Sequence, residues 1–291
     1  MLILLLLLLL VPPATAQAQG GSGVSAKDFA IGLSGWPPES FCDGPLSAAM
    51  QQVPPKEVRQ RIRRAAECGV RLVLIPPRRM ITVNNRPDGP FSIDRARETM
   101  DRYAEELPSD FIEKYKGAIL GFNLADDYGC KRCWGGEPIT QSQIAEWATY
   151  ARTKLPDVPL GVRVVPDWAE KDPALAPLLD YAWAQYHTGK GDAKSYFDRA
   201  AKTAEKLGLR VVMGVNVHDC YGVGTDPCSP DDLVRYGRMA LSHPASCAFI
   251  NWKYDERAWL QPDMRKVWDE LAEMAKKRGA QECRKPGTGA G

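Results

Sequence analysis

The sequence has almost no net charge: 38 lysines and arginines against 36 aspartates and glutamates leave a formal +2 over 291 residues. Nucleic-acid binding and docking on an anionic membrane both draw on an excess of cations, so neither is expected. Histidine is scarce, at three copies, and there is no tight His-x-His or His-Glu pair. A catalytic metal centre therefore has few ligands to draw on. No G-x-G-x-x-G follows the first strand-like run, and Gly32-Leu-Ser-Gly35 does not supply one, which argues against a dinucleotide site on an open sheet. No internal repeat is evident, no cofactor is expected, and no motif implies a protein partner.

The basic residues that usually open an export leader are also missing, since no Lys or Arg precedes Leu4. The rest of the pattern is there. Leu4 to Leu10 is an unbroken leucine run, too short to span a bilayer, followed by small residues in A-x-A spacing at Ala14-Thr-Ala16 and Ala16-Gln-Ala18. Residues 1–18 read as a signal peptide, which predicts a secreted or periplasmic protein that leaves the membrane after cleavage. Residues 19–27 read as a Gly/Ser-rich flexible spacer and residues 284–291 as a Pro/Gly-rich disordered tail. Residues 28–283, roughly 255 positions, match the size of one (β/α)8 barrel.

Eight cysteines in an exported chain favour disulfides over free thiols. Cys130 with Cys133 and Cys220 with Cys228 can each staple their own loop, and Cys247 with Cys283 can tie the last strand to the end of the last helix. Cys42 and Cys68 remain, separated by a helix. A rival use is a zinc site built from Cys130, Cys133, His218 and Cys220, in an untypical spacing.

Apolar runs rich in β-branched residues occur at Phe29 to Ser34, Val70 to Ile75, Ala118 to Leu124, Leu160 to Val165, Tyr181 to Tyr186, Leu209 to Val217 and Ala248 to Trp252. Amphipathic stretches alternate with them. Thr140 with Gln143 forms a capping box ahead of one such helix, Asp192 caps another, and Ser229-Pro230 starts a third. This alternation implies parallel strands joined by right-handed crossovers. With an eighth strand around Met80 to Val83, the pattern predicts a closed (β/α)8 TIM barrel with one irregular strand; an open doubly wound sheet is the alternative.

In such a barrel the residues that follow each strand collect around one mouth. They include Trp36; Asn123, Asp126, Asp127 and Tyr128; Arg163, Asp167 and Trp168; Gln185, Tyr186 and His187; Asn216, His218 and Asp219; and Trp252 with Asp255. Aromatic faces stack on sugar rings while carboxylates and amides hydrogen-bond hydroxyls, so this inventory suits a carbohydrate ligand. Arg163 would place a charge in the lumen. It should pair with Asp126 or Asp127, which would lower that carboxyl's pKa and disqualify it as a general acid.

Two segments carry a family resemblance. Leu120-Gly-Phe-Asn-Leu-Ala-Asp-Asp127-Tyr128 resembles the strand of secreted (β/α)8 glycoside hydrolases that ends in Asn-Glu or Asp-Glu and bears the acid/base carboxylate. Phe249-Ile-Asn-Trp-Lys-Tyr-Asp255 is similar to final strands whose tryptophan floors the sugar site. The pattern also matches a bacterial group of exported barrel proteins without an assigned activity. The resemblance implies a glycoside hydrolase with Asp127 as the acid, and it alone selects Asp127 over Asp126. It also shows two departures: aspartate stands where glutamate is usual, and the strand Leu209 to Val217 lacks the nucleophile glutamate of retaining members.

Hydrolysis of a glycosidic bond needs one protonated carboxyl and one carboxylate. Asp255, then Asp219, then Asp167 are the candidates for the second group. Trp36, Asn123, Tyr128, Arg163, Trp168, Tyr186, His187, Asn216, His218 and Trp252 are the candidates for substrate contact. Two other functions fit the same inventory: a carbohydrate-binding barrel without catalysis, and a phosphoester hydrolase whose metal is held by His187, His218, Asp126, Asp127 and Asp219.

Overall fold

The computed structural model describes residues 27–221 and 226–285. The expected leader lies outside the described residues, as do residues 19–26 of the spacer and 286–291 of the tail. Eight parallel strands close into a barrel in chain order: β1 (Ala30–Ser34), β2 (Ala48–Gln52), β3 (Arg71–Ile75), β4 (Ile119–Asn123), β5 (Leu160–Val162), β6 (Tyr181–Tyr186), β7 (Arg210–Val215) and β8 (Ser246–Asn251). The closing seam pairs Ala30 with Ala248 and Leu33 with Asn251. Around the barrel lie α1 (Pro55–Glu67), α2 (Ile93–Glu106), α3 (Ser109–Tyr115), α4 (Gln141–Lys154), α5 (Pro166–Ala169), α6 (Ala193–Lys206), α7 (Pro230–Ser242), α8 (Glu256–Trp259) and α9 (Pro262–Arg278). The chain is a (β/α)8 TIM barrel.

Local chemistry sets the helix starts. Thr140 and Gln143 complete a capping box on α4, the Asp192 carboxylate accepts from Ser195 N at α6, and Ser229 accepts from Asp232 N with Pro230 at the first turn of α7. Each satisfies backbone donors that the helix itself leaves unpaired.

The eighth strand is not where the sequence places it. Arg78–Ile81 and Val83–Asn85 are 3-10 turns, and Asn84 and Asn85 adopt φ of 57° and 56°, which no strand tolerates. The missing strand is β2, whose residues Ala48-Ala-Met-Gln-Gln52 contain nothing β-branched. Pairing on both edges, with β1 and β3, holds it extended where intrinsic preference does not.

Alternation along the strands divides the apolar residues into two cores. Ala30, Met50, Val73, Tyr181, Trp183, Val212 and Ile250 fill the lumen, while Ile31, Ala49, Leu72, Phe122, Ala182 and Val211 pack outward against the helices. Tyr181 crosses the lumen to β4 and β5, where a Cβ at Gly121 or Gly161 would lie 2.6 or 2.2 Å from its ring. All eight cysteines are bonded, as Cys42–Cys68, Cys130–Cys133, Cys220–Cys228 and Cys247–Cys283. The zinc reading is thereby overturned, because the thiolates it needs at 130, 133 and 220 are disulfide sulfurs.

Candidate active site

Beyond the C-terminal ends of β4 to β7 lies an open cavity of about 390 Å³. Its carboxylates are Asp126 and Asp127, and Arg163, Gln185, His187 and Lys190 face them. The β4–β5 pairing continues past the regular strands, since Arg163 N donates to Ala125 O at 3.2 Å. This brings Arg163 beside Asp126, and the Arg163 Nη1 donates to both carboxylate oxygens, at 2.8 and 3.0 Å. The guanidinium also lies 4.7 Å from the Trp252 ring centroid and 5.8 Å from that of Trp183. Delocalised and weakly hydrated, an arginine suits this partly aromatic setting.

Asp126 is 9% exposed. Burial pushes its carboxyl pKa up, Arg163 pulls it down, and the neighbouring Asp127 charge pushes it up again; the net direction is upward. The pairing expected from the sequence is therefore present, while the lowering expected to follow from it is outweighed by desolvation. Asp127 differs. Its side chain is 54% exposed and pairs with Arg78 at 3.3 Å, and its backbone sits in the left-handed region at φ 53°. That conformation is open to aspartate. It turns the Asp127 N–H onto Asp126 Oδ1 at 2.8 Å and its carbonyl onto Cys130 N and Trp134 Nε1, both at 2.8 Å. The Cys130–Cys133 bridge thus closes the turn that presents the two carboxylates to different arginines.

The other sequence candidates divide into several places. Tyr128, Asn216 and His187 line the same cavity, and Trp168 stands against Tyr128 with ring centroids 4.3 Å apart. Trp252 borders it through Arg163 and pairs along the backbone with Asn216. Asn123 lies beneath, fully buried, with Nδ2 3.7 Å from Met50 Sδ and Oδ1 without a partner. The Asp219 charge acts on His187, whose pKa is lowered chiefly by burial, then by Lys190, with Asp219 opposing. Asp167 pairs with Arg199 at 3.3 Å in an adjoining cavity. His218 and Asp255 are grouped elsewhere, with Trp259 and Lys253. There Asp255 caps α8, accepting from Ala258 N at 3.0 Å, which holds its carboxyl below the usual range. Trp36 is fully buried against Phe41 and Trp259. Tyr186, 3% exposed, points outward into Tyr196, Phe197 and Tyr236.

Two of the lining residues with polar or aromatic side chains, Trp183 and Lys190, were not in the sequence inventory of strand-end residues. Trp183 is reached by strand alternation: with Tyr181 inward, Trp183 and Gln185 are inward and Tyr186 outward. Lys190 has no such signal, because it sits in a three-residue turn, Thr188–Lys190, after β6. Among the described residues no group of three or more His, Cys, Asp and Glu side chains is arranged to hold a metal ion. The donor set of the metal-dependent phosphoester reading therefore does not come together.

No protein-family model and no curated protein matches the chain. Solved structures do. The endoglucanase Cel5A of Pseudomonas stutzeri superposes with a TM-score of 0.59 at 10% identity, over 88% of this chain and 97% of that one. The β-mannanase from Thermomonospora fusca gives 0.55 at 12% identity, over 88% and 92%. The exo-β-1,4-mannosidase Op5Man5 from Opitutaceae bacterium strain TAV5 gives 0.54 at 14% identity, over 89% of this chain and 61% of the mannosidase, whose length it therefore only partly spans. At such identities the likeness shows the fold alone: this chain has the (β/α)8 barrel of these glycoside hydrolases.

Proposed function

We propose that the protein is an exported glycoside hydrolase in which Asp126 holds the proton delivered to the glycosidic oxygen. The observation that carries this reading is a buried carboxyl with an upward-shifted pKa, set in an open cavity beside Tyr128, Trp183 and Trp252. A general acid must keep its proton near working pH, and burial supplies that. Once the proton is given up, Arg163 stabilises the carboxylate left behind. Asp127 serves as the second carboxylate, attacking the sugar or activating water. Four disulfides fit an oxidising compartment, which supports export.

A second reading, a carbohydrate-binding barrel without catalysis, is favoured by one observation: both cavity carboxylates are already engaged by arginines. Reducing-sugar release from a panel of polysaccharides and oligosaccharides separates the two. Release by the wild type that falls about 10²–10⁴-fold in Asp126→Asn, and is indifferent to chelator, supports hydrolysis. Saturable binding without release by any sample supports the binding barrel.

A further inference from the structure

Arg163, Gln185 and Lys190 line the cavity together, and the hydrogen-bonding capacity that these three side chains leave over is all of one kind. Each carboxylate of the cavity already has a cation, Asp126 through Arg163 and Asp127 Oδ2 through Arg78, while His187 Nδ1 and, in the adjoining cavity, Asp167 Oδ1 are buried without a partner elsewhere on the wall. Gln185 Oε1 accepts from Trp183 Nε1 at 3.0 Å, so the amide presents its Nε2, which is buried and without a partner. Arg163 spends only Nη1 on Asp126, so among the described residues its Nε and Nη2 meet no acceptor. Lys190 Nζ donates to Gln185 O at 2.8 Å and to the Tyr196 hydroxyl at 3.4 Å, which leaves one of its three hydrogens free.

Charge points the same way. Lys190 lines both the main cavity and an adjoining one of about 330 Å³, which also contains Arg199 and Tyr196. Three of the cations around these cavities have carboxylate partners: Arg163 with Asp126, Arg78 with Asp127, and Arg199 with Asp167. Lys190 has none among the described residues. Its side chain is exposed at the cavity mouth, yet enough protein surrounds the ammonium to lower its pKa, and the charge it feels is a second cation, Arg163. A sugar hydroxyl both donates and accepts, and among the Arg163, Gln185 and Lys190 side chains its own O–H meets donors only. An acceptor-only anion matches the donors of these three side chains and the Lys190 charge that has no carboxylate beside it.

We propose that the saccharide bound in this cavity carries an anionic substituent, a uronate carboxylate or a sulfate ester, held by Lys190 with Gln185 and Arg163. The inference rests on the carbohydrate reading above and names its substrate class.

The test is titration calorimetry on the full chain with four probes of equal length: oligogalacturonate, its methyl ester, a uronate-free sulfated galactan oligosaccharide and a neutral cello-oligosaccharide. At least one anionic probe should bind tenfold or more tighter than the neutral ones, with an affinity that falls as salt rises. Lys190→Gln should bring that preference to within about twofold, Lys190→Arg should keep most of it, and unchanged melting temperatures should show that both variants fold. Preference for the uronate or for the sulfated probe identifies which group is read. Equal affinity for acid, ester and neutral probes overturns the proposal, as does an anion preference that survives Lys190→Gln. The hydrolase reading fails separately: anion-selective binding without cleavage sinks hydrolysis and leaves the binding class standing, whereas cleavage of neutral chains with no anion preference does the reverse.

Discussion

At the scale of single residues, the site is governed by opposing effects on one carboxyl. Burial destabilises the Asp126 carboxylate, Arg163 stabilises it, and burial prevails. Carbon-13 NMR of the aspartate side chains should place its titration midpoint above the ordinary value of about 3.9. Arg163→Met removes the opposing cation and should move the midpoint higher still, carrying the basic limb of kcat/KM with it, because a general acid works only below its own pKa. A midpoint at or below the ordinary value rules out the proton-holding role. The sign for stability follows from linkage. Between the ordinary and the raised value the unfolded chain gives up the proton first, so rising pH costs stability across that interval. Arg163→Met should also cost stability at pH above the raised midpoint, by up to about 3–5 kcal/mol, because a buried carboxylate is then without its partner, and cost less below the midpoint, where Asp126 is neutral. The sequence already shows that a lumenal arginine needs a carboxylate. It does not show that Asp126 is the buried one of the two, because that depends on the left-handed turn at Asp127, which closes on Cys130 and Trp134.

At the scale of elements, strand alternation decides which aromatic residues can meet a ligand. Tyr186 closes β6 and carries a hydroxyl, yet it shares the outward face with Ala182 and Ala184, while Tyr181 and Trp183 share the inward one. Counting from Tyr181 makes this legible in the sequence. The location of β2 is not legible, because Ala48–Gln52 owes its extended form to its neighbours. Lumen packing gives a sharper expectation. A methyl group at Gly161 would come within 2.2 Å of the Tyr181 ring, in a lumen where Tyr181 is fully buried. Gly161→Ala should therefore destabilise the barrel by about 1–3 kcal/mol, read by chemical denaturation. A variant as stable as the wild type would mean that the Tyr181 ring can move aside.

At the scale of the molecule, closure distributes the strand-end residues around one mouth, while two disulfides close single loops, one ties Cys42 to the end of α1 and one ties Cys283 to β8. Fold class and the two short cysteine pairs are legible from the chain because alternation of strand and helix and the spacing within a loop are local properties, whereas Cys42 and Cys68, 26 residues apart across α1, are left only as the remainder. The grouping of strand-end residues is not legible, and it separates Asp255 and His218 from Asp126. Cys247–Cys283 closes a span of 36 residues, whereas Cys130–Cys133 closes 3. The double variant Cys247→Ala/Cys283→Ala should lose about 2–4 kcal/mol, and Cys130→Ala/Cys133→Ala less, since restriction of the unfolded chain grows with loop length. The reverse order would show that the short bridge stabilises the native Asp127 turn directly. Among the described residues no helix is long and apolar enough to cross a membrane.

Leaving-group dependence is the decisive measurement. An aryl glycoside with an acidic phenol departs without protonation, while an alkyl or sugar leaving group requires it. On substrates of matched glycone, Asp126→Asn should lower kcat/KM by about 10²–10⁴-fold for the sugar leaving group and by far less for the activated phenol. Equal losses on both substrates, or no loss on either, would contradict a proton delivered by Asp126.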